Sequence, residues 1–255
     1  MAKSLHPERE TQNRIVKFFE KELGYKYLGN LGDEENFNIR WGDWKKFLSD
    51  SGYSEPFVES LQNEFFKTLN DFSKSPYHTN KEVYRILKYG LKLAEFPGEA
   101  PKTVYFINWE EPEKNNFYIA EEVTVNGNVE KRPDIVLYIN GIAIAVMELK
   151  KSTVSVADGI RQNVTNQREQ FIQRFFSTIQ ICVAANDSEG LRYGTSGTTE
   201  KYYLEWKEDN FTDQLQDKDD LDKILEGKCS KQLNLLEQQC YRIFQKERLL
   251  DIIHN

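Results

Sequence analysis

Apolar residues recur at helical spacing over several stretches of the chain and pack into short continuous runs elsewhere. Ile15, Phe18, Phe19 and Leu23 form one stripe and predict a helix over residues 8–23, closed by Gly24. Phe57, Leu61, Phe65, Leu69 and Phe72 predict a second over about 55–72. Val83, Ile86, Leu87, Leu91 and Ala94 predict a third over about 80–95. Ser75-Pro76 separates these two and Pro97-Gly98 ends the second of them. Residues 29–42, rich in Gly, Asn and Asp, read as a loop. Strands are expected at 103–108 and 117–125, with a turn at Asn126-Gly127. Two β-branched runs follow, 135–139 and 142–147, split by Asn140-Gly141, the strongest short-range hairpin signal. Residues 156–176 read as a helix with Ile160, Val164, Phe171 and Phe175 on one side. Residues 179–184 read as a buried strand, and 192–195 begin a short one. A last helix is expected over 231–253, with Leu233, Leu236, Cys240, Ile243 and Phe244 inward and Ser230 as its N-cap. The pattern describes an α/β domain, a mixed β-sheet core flanked by helices.

Composition narrows the setting. The 255 residues are 39 % hydrophobic and 13 % aromatic, enough for a sizeable core. No run is long enough for a transmembrane helix, and MAKSLHPERE is too polar for a signal peptide. Cys182, Cys229 and Cys240 give neither a disulfide framework nor metal spacing, and Cys182 lies in an apolar run. A reducing cytoplasm is the expected compartment. The net charge of −7 argues against indiscriminate DNA binding, since Lys and Arg supply most non-specific affinity. Much of the acidity is local: residues 205–222 hold eight acids against two lysines.

The candidate chemistry sits at residues 132–150, RPDIVLYINGIAIAVMELK. If the hairpin forms, Asp134 and Glu148 lie at the ends of the two strands away from the turn, close together. Glu148 and Lys150, two apart, share a face of the second strand, and Leu149 points to the other. Two acids and a lysine at a sheet end are costly unless a cation joins them. Hard oxygen ligands suit Mg²⁺. A lysine beside them can orient or deprotonate water, or stabilise charge developing on a phosphate. The pattern points to metal-assisted phosphodiester hydrolysis. Lys131, Arg132, Lys151, Arg161, Arg168 and Arg174 stand near the site in sequence, which is compatible with a locally basic face on an acidic chain.

Pro133-Asp134 followed by Glu148-Leu149-Lys150 resembles the PD-(D/E)XK nuclease motif. With ERETQ at 8–12, LGYKYLG at 23–29, EVTV at 122–125, VMELKK at 146–151, RQNVTNQ at 161–167 and RYGT at 192–195, the chain resembles the N-terminal nuclease region of the R (restriction) subunit of type I restriction–modification enzymes. The resemblance implies a restriction-endonuclease-like sheet with a helical elaboration at about 30–100. It implies a type I site-specific deoxyribonuclease with Asp134, Glu148 and the Leu149 carbonyl as metal ligands and Lys150 as base or charge stabiliser. An acid on the first helix is implied as a further ligand; Glu8 matches best, with Glu10 its competitor. Gln162 stands at the Gln of a Gln-x-x-x-Tyr motif whose Tyr position is Asn166 here, so the motif is incomplete. Helix-dipole acids and an exposed polar helix face are the plain alternatives for Glu8 and Gln162.

The resemblance also implies Mg²⁺ as cofactor, DNA as substrate, and methylation (M) and specificity (S) subunits as partners. ATP would be used by a translocating motor. No G-x-x-x-x-G-K-[ST] phosphate loop occurs in these residues, and the last helix runs to the chain end without a stop signal. The expected organisation is a nuclease domain over 1–200 and a helical connector over 201–255 towards a motor outside this chain. Two other readings stay open: a free-standing repair or junction nuclease of this fold, and a coupling module with a vestigial site.

Overall fold

The structure, a computed structural model, describes residues 7–33, 36–71, 73, 75–206 and 233–255. The acid-rich stretch from residue 207 onward, Phe72, Cys229 and Ser230 lie outside the described residues. The first helix, α1 (Pro7–Lys21), leads into strand β1 (Lys26–Asn30). Helices α2 (Trp41–Asp50), α3 (Glu55–Leu69) and α4 (Pro76–Tyr89) follow, then a small antiparallel pair, β2 (Leu91–Leu93) with β3 (Lys102–Val104). The remaining strands are β4 (Phe117–Glu121), β5 (Ile135–Ile139), β6 (Ile142–Leu149), β7 (Ile181–Asn186), β8 (Gly190–Gly194) and β9 (Leu204–Glu205). Helix α5 (Val156–Asn166) crosses from β6 to β7, and α6 (Leu235–Phe244) and α7 (Lys246–His254) form a C-terminal pair.

Among the described residues, seven strands make one mixed sheet in the order β1-β4-β5-β6-β7-β8-β9. The β1–β4 and β6–β7 pairs are parallel; the others are antiparallel. The larger apolar cluster joins the sheet to α1, to the helical insertion α2–α4 and to α6 and α7. Ile15, Phe19, Trp44, Phe65, Phe106 and Phe244 are fully buried within it. The smaller cluster, with Val156, Ile160, Ile172 and Phe175, lies under α5 and the 3₁₀ turn at Gln173–Ser177. This is the α/β architecture expected, helical insertion included. No helix among the described residues is long and apolar enough to cross a membrane.

The hairpin forms as its Asn-Gly predicts. Ile139 pairs with Ile142, and Asn140 and Gly141 both have positive φ, 50° and 83°. A bulge then interrupts β6 between the pairs Leu137–Ala145 and Tyr138–Ala143. It changes the facing parity of the strand. Ile142 and Ile144 enter the larger cluster, and so do Ala145, Met147 and Leu149. Val146 turns to the α5 side, and Glu148, two residues on, shares that face. Unbroken alternation from Ile142 would have sent Glu148 into the larger core. Gly141 is also where α2 is pinned, because Arg40 N donates to Gly141 O at 2.7 Å. A Cβ there would stand 2.6 Å from Arg40 O and 2.8 Å from Trp44 N. Gly141→Ala is expected to cost more than about 1 kcal/mol, read as a lower urea midpoint.

Several sequence expectations need correction. Residues 29–42 are not all loop: β1 runs to Asn30 and α2 begins at Trp41, with Trp44, Phe47 and Leu48 buried. Helix α4 starts at Pro76, after Ser75, and stops at Gly90, whose φ of 77° no helix accepts; Leu91 then pairs with Val104. The strand expected over 103–108 is only β3. Strand β4 ends at Glu121 because Glu122 has φ 52°. Helix α5 ends at Asn166, not at 176. There Ile172 N returns to Asn166 O at 3.2 Å, which folds the following turn back and seats Phe175 in the smaller cluster. The terminal helix is two: Gln245, with ψ 137°, separates α6 from α7. Asn234 caps α6 in a capping box with Glu237.

Candidate active site

Strand β6 delivers Glu148 fully buried at its C-terminal end. Asp134 immediately precedes β5, and Leu149 N donates to its Oδ2 at 2.7 Å, so the two ends of the hairpin are tied side by side. Lys150 Nζ donates to Leu149 O at 3.0 Å and lies 3.9 Å from Glu8 Oε1 on α1. On α5, Gln162 Nε2 donates to Glu148 Oε2 at 2.6 Å and Asn166 Nδ2 donates to Glu148 Oε1 at 3.3 Å. Asp134, Glu148, Leu149, Lys150, Glu8 and Gln162 therefore converge. Glu8 rather than Glu10 faces the cluster; Glu10 is exposed.

The electrostatics are unfavourable in the absence of a cation. Burial pushes Asp134 up to about 6, against the opposing N–H of Leu149 and the charge of Lys150. Burial and then the Asp134 charge push Glu148 well above the usual carboxylate range. Among the described residues, no basic group lies within ion-pair distance of Glu148. No three His, Cys, Asp or Glu side chains among them form a metal cage. The oxygen donors present are two carboxylates and a backbone carbonyl, a hard set that fits a divalent cation keeping several waters.

Sequence reasoning missed the layer behind Asp134. Arg9 on α1 donates to Glu121 Oε1 at 2.9 Å and to Glu122 Oε1 at 3.0 Å. Arg132 Nε lies 3.0 Å from Glu122 Oε2, and Tyr27 OH donates to Glu121 Oε1 at 2.8 Å. Gln12 Nε2 donates to the Asp134 carbonyl at 3.2 Å, and Glu122 N to the same oxygen at 2.9 Å. This network fixes α1 and the Pro133-Asp134 turn. Its only sequence signal was ERETQ, whose Arg and Gln fall on one helix face with Glu8. Two of the basic residues near the site in sequence are engaged: Arg161 pairs with Asp158 and Glu200, and Lys131 Nζ sits 4.4 Å from the Phe171 ring centroid.

This sheet, with two acids and a lysine at the end of its central hairpin, defines an α/β protein of restriction-endonuclease-like architecture. The chain belongs to the family described as Type I restriction enzyme R protein N terminus, whose model matches residues 5–201. It is 27 % identical over 222 residues to the "Putative type I restriction enzyme MjaIXP endonuclease subunit" of Methanocaldococcus jannaschii, covering 81 % of this chain and 21 % of that protein. A second protein of that organism, the "Putative type I restriction enzyme MjaVIIIP endonuclease subunit", is 27 % identical over 98 % of this chain and 22 % of its own length. The type I restriction enzyme SauMSSORF170P endonuclease subunit of Staphylococcus aureus is 27 % identical over 53 % of this chain and 15 % of its own length. The chain thus spans about a fifth or less of these curated relatives.

Proposed function

We propose that this chain is the DNA-cleaving part of a type I restriction enzyme R subunit and hydrolyses phosphodiesters with Mg²⁺. The observation that carries the reading is the buried Glu148 beside Asp134, two carboxylates raised by burial at the same sheet end as Lys150. Asp134, Glu148 and the Leu149 carbonyl would hold the ion, with Glu8 available from α1. Bound there, the ion supplies Lewis-acid polarisation of the phosphate and lowers the pKa of the attacking water. The Leu149 N–H fixes one Asp134 oxygen and leaves the other for the ion. Lys150 Nζ orients the water or takes up the charge that develops on the phosphate. Gln162 holds Glu148 in place.

The reading extends to the assembly through the family, and the chain spans about a fifth or less of its relatives. Translocation by an ATP-driven motor, and M and S subunits that choose the site, would lie beyond these residues. The 255-residue chain alone is then expected to bind DNA weakly. Its net charge is −7, and Arg161 and Arg132 already face acids. A dissociation constant weaker than about 1 µM at physiological salt is expected, the tight edge of non-specific binding. Titrations at low and physiological salt check this. Nanomolar binding that survives physiological salt would favour a free-standing nuclease instead.

A further inference from the structure

We infer that Asn166 is a positioning residue which, with Gln162, fixes both oxygens of Glu148 for the divalent cation of the site proposed above. The inference rests on that nuclease reading and deepens it. Residues 162 and 166 are four apart, so they share a face of α5 and meet one carboxylate. Each donates to a different oxygen, Gln162 to Oε2 and Asn166 to Oε1. Asn166 is 2 % exposed, so water does not substitute for it.

The helix is pinned in the register this needs. Asn163 Nδ2 donates to Val183 O at 2.8 Å, a side-chain bond onto the neighbouring strand. Gln167 accepts from Gly197 N at 2.7 Å through Oε1 and donates to Asn163 O at 3.2 Å. Gly159 lets α5 lie close on the sheet: a Cβ there would stand 3.1 Å from the Ala184 Cβ and 3.5 Å from Glu148 O. Ile172 N holds the Asn166 carbonyl at the helix end. Four hydrogen bonds thus hold the end of this helix in register.

Both donors are neutral. They orient the carboxylate and satisfy lone pairs without cancelling its charge, so the demand for a cation remains. A lysine or arginine at either position would remove that demand. Groups that orient a metal ligand in this way typically contribute 10–100-fold to metal affinity.

The test titrates Mg²⁺ and Mn²⁺ into the 255-residue chain without DNA, at one pH, following calorimetric heat and thermal stability. Asn166→Leu, close in shape but without a donor, is expected to weaken the metal midpoint about 10–100-fold. Asn115→Leu removes a buried bond remote from Glu148, Nδ2 to Asn108 O at 2.7 Å, near the turn end of the hairpin. It is expected to lower the melting temperature and leave the midpoint within about twofold. A purely structural role for Asn166 would make the two variants behave alike. Asn166→Ser, smaller and polar, serves if the leucine variant does not fold, and the same direction is expected. A midpoint unchanged in a folded Asn166 variant would overturn the inference. No metal-dependent signal in the parent would overturn the nuclease reading, and the role of Asn166 with it. Metal binding that weakens as expected, in a complex that never cleaves DNA, would leave Asn166 standing and remove the nuclease reading alone.

Discussion

Lys150→Ala, placed in a complete restriction complex carrying this chain, is expected to lower DNA cleavage by about 10²–10⁴-fold, the span ascribed to a positioned proton-transfer group. ATP hydrolysis and translocation should stay near the parent's. The ammonium lies 3.0 Å from Leu149 O, a proposed ligand of the ion, and 3.9 Å from Glu8 Oε1. Its side chain is 13 % exposed, so loss of the group is not made good by solvent cations at the same place. Lys150→Arg is a poor rescue as well, since a planar guanidinium does not reproduce a compact ammonium. Cleavage of a plasmid substrate and phosphate release from ATP, measured on the same preparation, separate the two activities. Loss of ATPase in a folded Lys150→Ala complex would mean that the residue couples this part to a motor rather than serving hydrolysis.

The hairpin and its two acids were legible because every cue there is local. Asn140-Gly141 fixes the turn, the β-branched runs fix the strands, and the spacing from Asp134 to Glu148 then follows from pairing. The bulge in β6 was not legible, although it decides which face Glu148 takes. Nothing in IAIAVMEL distinguishes a strand with one extra residue from a regular one. Helix α2 was missed for a different reason. Trp41, Trp44 and Leu48 do lie at helical spacing, but they follow a Gly- and Asn-rich stretch whose turn signals dominated. Tertiary packing against Phe65 and Phe106 makes that segment a helix. The end of α5 at Asn166 depends equally on long-range contacts, with Phe171 O accepting from Asn128 N at 3.2 Å. The hydrogen bond from Asn166 to Glu148 was not legible in the sequence, because it depends on where α5 lies on the sheet.

Glu148→Gln is expected to raise the melting temperature of the chain in a chelator at neutral pH, while removing any stabilisation by Mg²⁺. Glu148 is fully buried and is held by two neutral amides. Its carboxyl, and that of Asp134, bind protons more tightly folded than unfolded. Such groups stabilise the fold below their unfolded pKa, and that contribution is lost as pH rises through the folded value. For Asp134 the window runs from 3.8 to about 6, and for Glu148 it begins at 4.5 and extends well above it. At neutral pH the charged pair therefore opposes folding unless a cation joins it. Glutamine has the same shape, and a turn of one neighbouring amide restores both hydrogen bonds. Replacing buried charge by a well-fitted neutral group often stabilises by about 1–4 kcal/mol. For a chain of this size that is several degrees. The gain should shrink at about pH 5, where the parent is itself partly protonated. Adding Mg²⁺ at neutral pH should reverse the order, because only the parent gains from ligand binding to the folded state. A variant that melts at or below the parent in chelator at neutral pH would show that the protein itself compensates the Glu148 charge, and the case for a cation at this site would lose its main support.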